Sequence, residues 1–301
     1  MKIYKIHNFI AGISLFFGAL INTIISVFKI ILSSKFSIKF PEAKYGQCAI
    51  IGNGPSMKVS LAKHPDSFNN RSLIGVNDFA LSDYYTILKP DIYVILDPDY
   101  WNFEEDDESN PASAQTFKTL WQKTNWEINL FVPYLARKSK YLTRQANKNP
   151  NIRVTYFNYT VFKGFKKLSY LFFKAGLGMP QCQNVIAASI FIALNMRFKE
   201  IFLFGADHSW HEKLIVNEDN KLCIKNTHFY ENESDVSYRP FYKNELTREL
   251  FSMSELFLAW HKVFYGYEVL EQYAKHLNIK IYNSSEVSFI DSFERKKHDN
   301  I

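Results

Sequence analysis

The chain is poor in residues that staple or metallate a fold. Three cysteines, Cys48, Cys182 and Cys223, are scattered over 301 residues. An odd, dispersed set excludes a disulfide framework and fits a reducing compartment. There is no CxxC pair and no Asp/Glu/His cluster at metal-ligand spacing, so neither a metal nor another cofactor is expected. Cys48, in an apolar run, reads as a small core residue. Charge of one sign is also thin. The formal net charge is +6, and only Arg295-Lys296-Lys297 forms a basic cluster. Without a basic face or an RNA- or DNA-recognition motif, nucleic acid is not an expected partner. The surplus suits solubility and attraction to anionic lipid. No internal repeat is present. What abounds is apolar: 47% of the chain is hydrophobic, with 27 Phe and 18 Tyr. That is ample for a buried core and argues against disorder.

One apolar run stands apart. Ile10 to Phe28 carry no charge, and the apolar character resumes after Lys29 through Leu32. A bilayer span needs about 20 such residues, and no small-x-small cleavage site follows to mark a signal peptide. Lys29, Lys35, Lys39 and Lys44 follow the run while only Lys2 and Lys5 precede it, which places the remaining chain in the cytoplasm. Ser14, Gly18, Asn22, Ser26, Lys29 and Ser33 recur every three or four residues, along one band of a helix. Such a band suits a helix lying in the interface or packed on a partner, whereas length favours spanning. Residues 1–40 are thus read as anchor and linker, touching the membrane over residues 9–32, and residues 41–301 as the folded domain.

From Gln47 short β-branched runs alternate with helical stretches. Cys48–Ile51, Ser72–Val76, Asp91–Leu96, Asn129–Val132, Ile152–Tyr156, Ile201–Phe204 and Ile279–Tyr282 read as strands. Val185–Leu194 and Ser252–Leu277 read as helices, the second opened by the capping box Ser252-x-x-Glu255. This alternation predicts an α/β fold with a mainly parallel, doubly wound sheet. The acidic stretch Glu104–Glu108 and the polar stretch Asn217–Asn244 read as loops, the latter long enough to be a lid or acceptor-binding insertion.

In such a fold ligands bind at the carboxyl edge of the sheet. Gly52-Asn53-Gly54-Pro55-Ser56 follows the first strand there, where glycines permit close backbone approach and a helix start suits phosphate. A dinucleotide fingerprint needs a third glycine near Met57, which is absent, and a Walker loop needs the missing Gly-Lys-Ser/Thr. Asn77 ends the second strand and offers an amide to a base or ribose. Asp97-Pro98-Asp99 resembles a metal-binding Asp-x-Asp, a weak signal without further ligands. Gly205-Ala206-Asp207-His208-Ser209-Trp210-His211 gathers polar groups after a late strand, with His208 or His211 able to donate to a leaving phosphate. His261 lies beside the apolar stripe of the long helix; its near-neutral titration suits a general base, and packing is the alternative role.

Ala49–Ser56, Ile190–Leu194, Lys199–Asp207, and His261 with Glu268–Glu271 and Ile279–Ser284 resemble the bacterial lipooligosaccharide sialyltransferases, over roughly residues 46–293. The resemblance implies one Rossmann-like domain with a lid. It implies inversion at the anomeric carbon, CMP-sialic acid as donor, a glycolipid or oligosaccharide acceptor and no metal. By the same resemblance Asn53 and Asn77 bind the nucleotide, Gln183 and Asn184 touch the donor, and His261 is the base. It also implies action at the cytoplasmic side of a bacterial inner membrane, and allows a homo-oligomer. The family's tyrosine pair after Gly-x-Asp is replaced by Ser209, Trp210 and His211, so His211 or Tyr230 would stand in, and another CMP-activated keto-sugar is the alternative donor. The same glycine and Gly-x-Asp islands are similar to a pterin diphosphokinase-like group. That implies an alternative, phosphoryl transfer from ATP with Mg²⁺ on Asp97, Asp99 and Asp207. A non-catalytic nucleotide-binding protein is the third reading.

Overall fold

The β-branched runs form strands because each can be buried on both faces of one sheet. A computed structural model describes residues 2–101, 111–226, 237–244 and 247–297. A long helix, α1 (Lys2–Ser33), comes first. It is followed by β1 (Gln47–Ile51), α2 (Ser56–Lys63), β2 (Ser72–Val76), α3 (Tyr84–Leu88) and β3 (Ile92–Val94). Next come α4 (Pro111–Lys123), β4 (Ile128–Pro133), α5 (Lys140–Ala146), β5 (Ile152–Phe157), α6 (Lys166–Lys174), α7 (Val185–Asn195) and β6 (Glu200–Phe204). The short strands β7 (Leu214–Val216), β8 (Leu222–Asn226), β9 (Ser237–Pro240), β10 (Tyr242–Asn244) and β11 (Glu249–Leu250) precede α8 (Met253–Leu277), β12 (Lys280–Asn283) and β13 (Glu294–Arg295).

Eight strands make one sheet in the order β13-β12-β6-β1-β2-β3-β4-β5, and every neighbouring pair is parallel. The α/β, doubly wound expectation therefore holds. Alternate residues of β1 feed opposite cores: Cys48 and Ile50 join the layer containing α7 and α8, while Ala49 and Ile51 join the layer with Met57, Phe117 and Phe204. Helix α7 is buried along its whole length, which is why it is apolar all round and lacks a helical stripe. Helix α8 opens with the expected capping box and stops at Asn278 in the left-handed conformation. From β1 the chain winds outward through β5, then returns to the other flank of β1 with β6. The winding reverses between β1 and β6, so the loops leaving these two strands part and open a crevice at their carboxyl ends.

Two expectations are corrected. The stretch Asn217–Asn244 is not simply a loop: β7, β8 and β9 form a small antiparallel sheet, held by the buried Leu222 and Cys223, and β10 pairs with β11. Its polar composition hides this because one face of so small a sheet stays in water. Glu104–Glu108 lies outside the described residues.

The second correction concerns the N-terminal segment, which is no free tether. Ser26 Oγ donates to Lys163 O and accepts from Lys163 N, both at 2.9 Å. Phe165 N donates to Thr23 Oγ1 at 3.0 Å, and Ser34 Oγ donates to Leu177 O at 2.7 Å. Ile30 is 1% exposed and belongs to the main core, and Phe40 stacks on Phe131 at 6.3 Å. Packing therefore continues across residue 40. Of the polar band read from the sequence, Ser26 is docked, whereas Asn22 and Lys29 are exposed.

Candidate functional site

At the switch point the loops after β1 and β6 are latched together. Gly52 N donates to Phe204 O at 2.8 Å and Gly54 N to Gly205 O at 2.9 Å. A Cβ on Gly52 would lie 2.4 Å from Gly205 O, and Gly205 itself sits at φ +63°. The glycines are thus required by two backbones in contact, a role distinct from the expected cradle for a ligand. Ser56 completes the latch, its backbone N and its Oγ both donating to the Asp207 carboxylate, at 2.9 and 2.5 Å. Asp207 occupies the first turn of α2, so the phosphate position expected there is already filled by a carboxylate of the chain.

Beside the latch lies a cleft of about 600 Å³. Asn53 and Gly54 line it from the β1 loop, Asn77 from β2, Asp97 from the turn after β3, and Asp207, His208 and Trp210 from the β6 loop. Asn53 Nδ2 donates to Val76 O at 3.2 Å, bracing the loop against the end of β2. Asn77, at φ +43°, holds a buried Oδ1 that makes no hydrogen bond. A buried acceptor without a donor is costly, and a ligand amino or hydroxyl group would relieve it.

The far wall is the start of α7. Asn184 caps it, its Oδ1 accepting from Ala187 N at 2.9 Å. The amides of Val185 and Ile186, both lining the cleft, are the remaining first-turn donors. Asn184 Oδ1 also accepts from the Tyr267 hydroxyl at 3.0 Å, and that hydroxyl lies 2.6 Å from His208 Nε2. The network is satisfied when His208, protonated on Nε2, donates to Tyr267, which donates to Asn184. Burial lowers the His208 pKa to about 4, so the ring is neutral at neutral pH. It acts in the cleft as a dipole and acceptor, with no positive charge.

A second cleft of about 560 Å³ adjoins the first and shares Tyr159, Gln183, Asn184 and Trp210 with it. Its own wall is apolar and aromatic: Phe241 and Phe251 beside β10 and β11, and Leu256, Trp260 and Val263 on α8. The insertion read as a lid or acceptor element therefore does border the crevice. The Tyr159 hydroxyl donates to Cys182 O. Burial pushes its pKa up to about 12, with the charges of Cys182 and Asp97 adding to the shift.

Of the residues singled out in the sequence, Asn53, Gly54, Asn77, Gln183, Asn184, Asp207 and His208 all line the first cleft. Gly52 and Ser56 stand behind it in the latch. His211 and His261 do not join them. His211 is exposed, its ring edge-on to Phe289 at 4.4 Å. His261 is exposed on the outer side of α8, stacked on Tyr265 at 6.0 Å, and lines neither cleft. The stripe of α8 faces the core, and one residue's rotation past Trp260 turns His261 to solvent. Tyr230 lies outside the described residues. Tyr159 and Lys213 were not foreseen; Tyr159 follows β5 at the ligand edge, a positional signal that strand endings alone would have raised.

Asp97, Asp99 and Asp207 do not converge on a metal. Among the described residues no group of three or more His, Cys, Asp or Glu side chains is placed to hold one. Asp97 Oδ1 accepts from Asp99 N at 3.0 Å, and Asp207 is committed to Ser56.

Comparison with known proteins gives a sparse result. No family model and no curated protein matches the chain. Among solved structures it is similar to the MAf glycosyltransferase from Magnetospirillum magneticum AMB-1. The identity is 12% and the TM-score 0.48, over 93% of this chain and 38% of that one. The chain thus spans well under half of that protein's length. A likeness of this degree assigns no activity, and the reading below rests on the two clefts.

Proposed function

We propose that the chain is an inverting glycosyltransferase, moving sialic acid or a related keto-sugar from a CMP-activated donor to a glycan or glycolipid acceptor at the cytoplasmic face of a bacterial inner membrane. The supporting observation is the pair of clefts with one common wall: a polar one at the switch point and an apolar, aromatic one beside it. A group transfer needs two substrates held edge to edge, and the shared Tyr159, Gln183, Asn184 and Trp210 mark where they would meet.

The donor goes to the polar cleft. The orphan Oδ1 of Asn77 accepts from the exocyclic amine of cytosine, and Trp210 offers the base or sugar an aromatic face. The first-turn amides of α7 take the phosphate, whose negative charge suits a helix start. Lys213 adds a cation on the same wall. The acceptor goes to the apolar cleft, where Trp260, Phe241 and Phe251 suit the apolar faces of sugar rings.

Asp97 and Asp207 are the carboxylates lining the donor cleft, and Asp207 is committed to Ser56, so Asp97 takes the role of base. The acceptor hydroxyl oxygen bonds to the anomeric carbon from the side opposite the leaving group, its proton passes to Asp97, and the carbon–oxygen bond to CMP breaks with the electron pair on phosphate. Phosphate is a good leaving group, so the α7 amides and Lys213 suffice to receive it without an acid.

The test is a thermal-shift panel of CMP, UDP, GDP and ATP, with and without EDTA, on wild type and Asn77→Gly. Glycine keeps the positive φ and removes the orphan acceptor. At about 100 times its dissociation constant a ligand stabilises by roughly 2.7 kcal/mol. A CMP shift indifferent to EDTA and weakened in the variant supports the reading. An ATP shift that needs Mg²⁺, with none for CMP, would sink it in favour of phosphoryl transfer.

A further inference from the structure

We infer that α1 does not cross the bilayer but lies along its surface, and that its free apolar face, together with Lys29, Lys163 and Lys262, forms a docking surface for an anionic leaflet. The inference does not depend on the transfer reaction.

Length decides against spanning. The apolar part of the helix runs from Ala11 to Ser33, 23 residues, just enough for a bilayer about 30 Å thick. From Thr23 onward, however, one side of it is fastened to the domain by the bonds at Thr23, Ser26 and Ser34. Ala11 to Asn22 remain, about 18 Å of helix at 1.5 Å per residue, too short to cross. Even that part is not wholly free, since Phe16 meets Phe165 at 5.5 Å. Were the docked helix to span, Lys163 and the lysines opening α6 would enter hydrocarbon beside it, a strongly disfavoured place for charge. Were it to undock, Ile30 would leave the core and the amides of Lys163 and Phe165 would lose their partners.

The helix surface instead divides into three faces. Thr23, Ser26 and Ile30 meet the domain. Ile21, Ile24, Phe28, Ile31 and Leu32 are all more than half exposed on a second face. Asn22, Lys29 and Ser33 run as a polar edge between the two. That is the cross-section of a helix lying at the depth of the headgroups.

Lys29 is joined by two lysines of the domain. The backbone of Lys163 is held against Ser26 of α1, one turn from Lys29, and its pKa is lowered, first by partial burial and then by the charges of Lys262 and Lys29, so Lys163 stands within electrostatic reach of both. Three cations gathered beside an apolar face complement anionic headgroups. On α8, the exposed Leu258, His261 and Tyr265 flank the half-buried Lys262, with Leu258 and Tyr265 at 55% and 50% exposure. That stretch continues the apolar and basic character of the surface and gives the outward His261 a setting.

The experiment uses the full chain and vesicles of phosphatidylcholine, alone or mixed with phosphatidylglycerol. Flotation should show tighter binding to the mixed vesicles. The triple change Lys29→Gln, Lys163→Gln, Lys262→Gln should lower that affinity on the order of a hundredfold, about fivefold per lysine, with an unchanged melting temperature. Because the native cysteines are all buried, Ala11→Cys and Ser33→Cys report topology with a membrane-impermeant thiol reagent added outside. Labelling of both positions on intact vesicles supports the surface orientation. Labelling of only one until the vesicles are lysed would overturn it. Equal binding to neutral vesicles, or a lipid-free dimer that protects both positions and binds no vesicle, would also overturn it.

Discussion

His208 offers the sharpest test of the site's electrostatics. Its ring is 7% exposed, and burial holds its pKa at about 4, against 6.5 for the free side chain. Between those values the unfolded chain binds a proton that the native chain refuses, so native stability falls as pH drops through that window and is fully present above it. The gap corresponds to about 3 kcal/mol, a sizeable share of a domain's net stability. His208→Asn removes the titration while tolerating the positive φ of +55° found there. The variant should be about 1–2 kcal/mol weaker at neutral pH for want of the bond to Tyr267. It should then lose less stability than wild type on acidification, the difference approaching 3 kcal/mol near pH 4. Urea unfolding of both proteins at several pH values reads this directly, because other titrating groups cancel in the comparison. Parallel decline of the two stabilities from neutral pH to about 4 would refute a neutral, buried His208.

Three further outcomes follow from the geometry. Asp97→Asn should lower transfer by roughly 100-fold or more, as for a lost general base, while leaving the melting temperature nearly unchanged because the amide oxygen still accepts from Asp99 N. His261→Ala should transfer near the wild-type rate, and a hundredfold loss there would reinstate the base role that family resemblance implies. Gly205→Ala should destabilise by at least about 2 kcal/mol, since a left-handed conformation already disfavours a side chain. Its new Cβ would also meet Gly52 O at 2.7 Å, and an unmoved denaturation midpoint would show that the latch yields.

Much of this protein was legible in one dimension, for local reasons. The sheet announced itself because strands buried on both faces are continuous apolar runs, whatever their neighbours are. The start of α8 could be read from Ser252 and Glu255, since a capping box closes within one turn. The clustering of Asn53, Asn77 and Asp207 was legible because strand endings of a parallel sheet share one edge. Shorter helices such as α3 and α5, and the strands of the polar insertion, left too weak a period to be seen.

What each residue does at that edge was decided by tertiary contact alone. Composition determined that Gly52, Gly54 and Gly205 would lie close to something. That the something is another loop, and that Asp207 fills the start of α2, follows from the pairing of β1 with β6, strands about 150 residues apart in sequence. As letters, His261 and His208 were both candidates for moving a proton, the first as base and the second as donor to the leaving phosphate. One faces water and the other is sealed behind Tyr267 because side-chain direction depends on the rotation of a packed helix and the path of a latched loop. Likewise the sequence marked α1 as long and apolar enough to cross a membrane, but how the helix sits depends on Thr23, Ser26 and Ile30 meeting a segment some 140 residues away. Hydrophobicity and capping act within a few residues and so are written in sequence, whereas register, docking and direction are set by partners that only the folded chain brings together.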